Sequence, residues 1–129
     1  MARIIVLEDF KPAWKTTYKN IAIDSMHDID LFADVASAID AFDSQKYDLV
    51  ISDLDIKGND LQGIDFLVHI RKKNQDIPIL IVTGVEYVSF HTRKDGTFYE
   101  GIKISKQIKK PVRSAKLLSI INETLARQS

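Results

Sequence analysis

The sequence predicts an α/β fold built on a doubly wound parallel sheet, and three observations carry that expectation. Short apolar runs of strand length alternate with stretches whose apolar residues recur at helical spacing. The strand-like runs, such as Ile4 to Leu7 and Ile79 to Val82, are uninterrupted rather than alternating, as in strands covered on both faces. The chain has 129 residues, with 45% apolar and 28% charged, which suits one globular domain over residues 1–129 with a core of its own.

The elements follow in order. Arg3-Ile-Ile-Val-Leu7 is a β-branched run ending at Glu8-Asp9 and reads as a buried strand. Pro12 suits the first turn of a helix over 12–23, with Ala13, Trp14, Ile21 and Ala22 as its apolar side chains. Asp30 to Val35 is the expected second strand, and Ser37 to Gln45 a helix that turns Ala38, Ile39 and Phe42 to one face. Tyr47 to Ile51 is a third strand, running into Ser52-Asp53. After a polar loop with Gly58 and Gly63, Ile64, Phe66, Leu67 and Ile70 form the stripe of a helix ending in Arg71-Lys72-Lys73. Ile77 to Val82 is a fourth strand, closed by Thr83-Gly84. Residues 85–110 read two ways. Asp95-Gly96 suits a hairpin turn between Thr92 and Tyr99, and Ile102 to Ile108 suits a fifth strand. The last helix is expected over Ala115 to Leu125, with Leu117, Leu118, Ile121 and Leu125 inward and Ser114 as its N-cap.

Composition excludes several classes. There is no Cys, hence no disulfide and no thiolate metal site, which fits a reducing cytoplasm. No apolar run approaches the ~20 residues of a membrane span, and Met1-Ala2-Arg3, leading straight into a strand-like run and acids, is not expected to begin a signal peptide. The zero net charge hides a split: residues 1–65 hold 13 acids against 6 bases, and residues 66–129 hold 5 against 12. Twelve of the 13 early acids are Asp, a poor helix former that suits caps, turns and ligand sites.

In a doubly wound sheet, ligands bind beyond the carboxyl ends of the strands. Glu8 and Asp9 fall there after the first strand, Asp53 after the third, Thr83 after the fourth and Lys110-Pro111 after the fifth. Converging carboxylates repel unless a cation lies among them, and hard oxygen ligands suit Mg²⁺. A hydroxyl and an ammonium beside them suit a phosphoryl group.

The ordered set resembles the receiver domains of response regulators in two-component signalling, the CheY-like family. Ile4-Ile-Val-Leu-Glu-Asp9, Asp48-Leu-Val-Ile-Ser-Asp53, Pro78-Ile-Leu-Ile-Val-Thr-Gly84 and Lys110-Pro111 carry the resemblance. The spacings, 44 residues from Asp9 to Asp53 and 30 from Asp53 to Thr83, are more specific than any single piece. The resemblance implies a flavodoxin-like five-stranded parallel sheet in the order 2-1-3-4-5, with about five helices. It implies that Asp53 accepts phosphate from a histidine kinase or a histidine phosphotransfer protein. It implies that Glu8, Asp9, Asp53 and the backbone carbonyl of Asp55 hold Mg²⁺, with Thr83 and Lys110 on the phosphoryl group. Such a protein promotes transfer onto its own Asp and turns over no external substrate. The expectation is a stand-alone cytoplasmic receiver with no effector domain, whose output runs through a downstream protein or self-association. A scaffold that binds partners without phosphate is the competing class.

The sequence departs from the family pattern in places. The loop from Asp53 to Gly63 is slightly long and lacks the usual Met-Pro. The stretch from Thr83 to Lys110 is 27 residues, also long, so the fourth helix and fifth strand region is atypical. Gln107 stands where the family commonly has an aromatic switch residue. The signal is therefore expected to run through 85–108, with Tyr87, Phe90, Phe98 and Tyr99 as its candidates. The resemblance also implies that Asp55 and Val85, two residues after Asp53 and Thr83, flank the path of attacking water.

Other features have plainer readings. Lys110 shares a basic run with Lys103, Lys106, Lys109, Arg113 and Lys116, and such a run is usually a solvated face. Contact with nucleic acid is not expected, because nothing aromatic or helix-turn-helix supports it. His27, His69 and His91 lack metal-ligand spacing, and Trp14 reads as a packing residue.

Overall fold

In the computed structural model the described residues are 1–56, 62–84 and 102–128. Five strands, β1 (Arg3–Leu7), β2 (Asp28–Phe32), β3 (Leu49–Ser52), β4 (Ile79–Thr83) and β5 (Lys106–Lys109), form one sheet in the order β2-β1-β3-β4-β5. Every pairing is parallel. The flavodoxin-like topology expected from the sequence is the one observed.

Side chains of a strand alternate between faces, so each central strand serves two cores. Ile4, Val6, Leu49, Ile51, Leu80 and Val82 join one cluster. Ile5, Leu7, Val50, Ile79 and Ile81 join the other. The first cluster is covered by a helical arm, α1 (Lys11–Ala13), a π-helical turn (Trp14–Tyr18) and α2 (Lys19–Ser25), which contributes Tyr18 and Ile21. The last helix, α5 (Ser114–Ala126), adds Leu117, Ile120 and Ile121 to the same face. The opposite face is covered by α3 (Val35–Ser44) and α4 (Gly63–Lys73), through Val35, Ala38, Phe66, Leu67 and Ile70.

Several boundaries differ from expectation. The second strand begins two residues earlier and ends at Phe32, where its partner β1 ends, because Leu7 pairs with Phe32. Asp34 then leaves the sheet to cap α3, its carboxylate accepting from Ser37 N at 2.8 Å. Ser114 is not the cap of the last helix: Arg113 occupies that position in extended conformation and Ser114 begins the helix. The fifth strand starts at Lys106 rather than Ile102, because β4 begins at Ile79 and its register reaches only from Leu80–Lys106 to Thr83–Lys109. Ahead of that ladder, the Lys103 carbonyl is taken by the buried guanidinium of Arg71, with Nε at 3.1 Å and Nη2 at 2.5 Å. The Asp95-Gly96 turn, Val85, His91 and the aromatics Tyr87, Phe90, Phe98 and Tyr99 lie outside the described residues.

Candidate acidic phosphoryl site

The sheet order reverses at β1, which has β2 on one side and β3 on the other, and the crevice beyond the carboxyl ends opens there. Three main-chain bonds place its side chains. Glu8 N donates to Phe32 O at 2.9 Å, Asp53 N to Leu7 O at 3.0 Å, and Lys110 N to Thr83 O at 2.9 Å. Each residue that leaves a strand is thus still tied to the neighbouring strand by backbone.

Glu8, Asp9 and Asp53 come together, one carboxylate oxygen of each lying within 4.8 Å of the others. Glu8 is 1% exposed and Asp53 6%. Lys110 reaches both: its Nζ is 2.6 Å from Glu8 Oε1 and 2.7 Å from Asp53 Oδ2. One member of the basic run therefore serves the site, while Lys103, Lys106, Lys109, Arg113 and Lys116 are exposed. Thr83 is fully buried at the end of β4, joined to Lys110 through its carbonyl. Asp55 N donates to Asp53 Oδ1 at 3.2 Å, which sets that oxygen opposite the one held by Lys110. Glu8, Asp9, Asp53, Asp55, Thr83 and Lys110 thus fall at this edge of the sheet.

Burial pushes the Glu8 carboxyl above its ordinary value, against the opposing hydrogen bonds of Lys110 and Phe10 N. Burial alone would lower Lys110, but its bonds to Asp53 and Glu8 outweigh that and hold the ammonium above its ordinary value. One ammonium balances one of three carboxylates, so the cluster keeps room for a divalent cation. The donors are all carboxylate oxygens, the set that suits Mg²⁺.

Two residues of this site were not foreseen. Trp14 Nε1 donates to the Glu8 carbonyl at 2.7 Å, so the indole holds the peptide between Glu8 and Asp9. The π-helical turn begins at Trp14, and nothing in the apolar spacing signals it. Tyr18, 2% exposed, has its hydroxyl held protonated far above the ordinary range, by burial first and then by the charges of Glu8 and Asp53. His69, which lacks metal-ligand spacing, pairs with Asp43 at 2.7 Å and meets Phe42 edge-on. His27 joins Ala2 N to Asn122 at the far end of the sheet.

With this geometry in hand, comparison identifies the family. The chain belongs to the response regulator receiver domains, whose family model matches residues 4–122. No curated protein matches the sequence. Solved structures do. A CheY-like receiver domain from Methanospirillum hungatei has 20% identity and a TM-score of 0.82, covering 99% of this chain and 96% of that one. A signal receiver domain from Vibrio parahaemolyticus has 22% identity and a TM-score of 0.81, covering 98% and 91%. The receiver domain of a sensor histidine kinase from Pseudomonas aeruginosa, with 20% identity and a TM-score of 0.75 over 97% and 98%, holds a magnesium ion in its active-site cleft. Receiver domains belong to two-component signalling, and Mg²⁺ binding in an acidic pocket is typical of the family. Among the described residues no helix is long and apolar enough to cross a membrane.

Proposed function

We propose that residues 1–129 act as one phosphoacceptor receiver domain, phosphorylated on Asp53 in a Mg²⁺-dependent reaction. The observation that carries this is the buried Asp53 carboxylate, bonded to Lys110 at 2.7 Å beside Glu8 and Asp9. A carboxylate with an ammonium on one oxygen and spare acids beside it is arranged to receive a phosphoryl group together with a cation.

The step is an in-line substitution at phosphorus. One Asp53 oxygen forms the new P–O bond while the P–N bond to a donor histidine breaks. The electron pair of that bond leaves with the imidazole nitrogen, which takes up a proton from solvent. Glu8, Asp9, Asp53 and the Asp55 carbonyl would hold Mg²⁺, which when bound neutralises phosphoryl charge. Lys110 exchanges its contact with Asp53 for one to a phosphoryl oxygen, and the Thr83 hydroxyl binds another. No external substrate is turned over. The donor is a histidine kinase or histidine phosphotransfer protein, and the output is a protein contact with a downstream partner or a second copy.

The test is incubation with a small phosphodonor, with and without Mg²⁺. Labelling is expected with Mg²⁺, and is expected to be lost in Asp53→Asn. A protein that keeps its fold and takes no label under any of these conditions would instead be the phosphate-independent scaffold.

A further inference from the structure

We propose that Gln62 is a positioning residue for the Asp53–Ile56 strip, an inference that rests on the phosphoacceptor reading. Its side-chain amide bonds the main chain of one residue twice. Ile56 N donates to Gln62 Oε1 at 2.9 Å, and Gln62 Nε2 donates to Ile56 O at 2.9 Å. A side chain thus supplies the donor and acceptor that a neighbouring strand would supply.

The consequence lies in the peptide unit that follows Asp55. The Ile56 N–H and the Asp55 carbonyl belong to one planar trans unit, so fixing the first fixes the direction of the second. That carbonyl is the proposed main-chain ligand. Asp55 N in turn donates to Asp53 Oδ1. The Ile56 side chain is buried at 1% exposure, so the strip is held from beneath as well. Gln62 is itself fixed: its N–H donates to Asp65 Oδ2 at 2.7 Å in the first turn of α4. Next to it, Gly63 N donates to Leu54 O at 3.2 Å. The start of α4 therefore grips the strip through adjacent residues, in a loop that lacks Met-Pro.

The experiment separates this role from simple helix capping. Gln62→Ser keeps a good N-cap residue but cannot reach Ile56, and Gln62→Met keeps the length without the bonds. Without metal, Gln62→Ser should melt a few degrees below wild type through the two lost bonds, and its Ile56 amide should exchange about tenfold faster. Titration with Mg²⁺ alone, followed by NMR, should show affinity about tenfold weaker in both variants, the size of effect that outer residues have on metal sites. Excess Mg²⁺ should restore the labelling rate of Gln62→Ser. Unchanged Ile56 exchange and unchanged Mg²⁺ affinity in both variants would overturn the proposal. If wild type ignores Mg²⁺, this inference and the phosphoacceptor reading fall together. If wild type binds Mg²⁺ and the variants bind it weakly, yet Asp53 takes no label, positioning stands and the phosphoacceptor reading fails.

Discussion

Lys110 is the residue on which the charge balance of the site turns. Its Nζ touches both Glu8 and Asp53, and removing it leaves two buried carboxylates without their ammonium. Lys110→Ala should cost about 3 kcal/mol in the metal-free protein, the usual consequence of breaking a buried pair, as read by urea unfolding. Asp53→Asn works the other way. It removes one of three like charges while keeping the shape, so the metal-free variant should melt at or above the wild-type temperature. Trp14 offers a subtler change. Trp14→Phe keeps a ring but deletes the bond to the Glu8 carbonyl, for a loss of about 1 kcal/mol in denaturant unfolding. These residues also mark what the sequence could reveal. Glu8, Asp9, Asp53 and Lys110 were legible because each follows a strand-like run, and the topology rule sends strand ends to one edge. Trp14, Tyr18 and Gln62 were not, because their roles depend on a π-helical turn and on a contact between a loop and a helix start.

At the scale of the element, α4 is held at both ends by contacts that admit little change. At its start, a Cβ on Gly63 would lie 1.8 Å from the Asp53 carbonyl oxygen and 2.8 Å from Leu54 Cα. Both are backbone atoms, so the strip that starts at Asp53 would have to shift. Gly63→Ala should therefore destabilise the fold by about 3 kcal/mol and slow labelling of Asp53 together with it. At its end, Arg71 is 8% exposed and donates to the carbonyls of Lys103, Asn74 and Ile77. Arg71→Met keeps the stem but leaves those acceptors unmet, and should cost about 3 kcal/mol by thermal or urea unfolding. This bond also explains why the fifth strand is shorter than its apolar residues suggest. Ile102 and Ile104 pack against the core from outside the ladder, and a strand-like composition cannot distinguish packing from pairing.

For the whole molecule, the carboxyl end of the sheet gathers Glu8, Asp9 and Asp53 while the hydrophobic faces carry the stability. The two-faced burial was readable because uninterrupted apolar runs demand cover on both sides. The ends of β2 and β5 were not, because they are set by the lengths of their partner strands. The burial of Tyr18 gives the molecule a pH dependence of known sign. A folded-state value raised above the ordinary 10.0 means the stability is complete below that pH and is lost as pH climbs above it. Tyr18→Phe removes that titration, so its melting temperature should fall less steeply than wild type as pH rises above about 10.

The central claim is that this edge of the sheet transfers a phosphoryl group to one particular carboxylate. The most direct test treats the protein with a small phosphodonor and Mg²⁺, then reduces the product with borohydride, which converts an acyl phosphate into an alcohol. Peptide mass spectrometry should find homoserine at position 53, only when donor and Mg²⁺ are both present. Homoserine at position 9 or 55 with residue 53 intact, or reduction that is independent of the donor, would contradict the account.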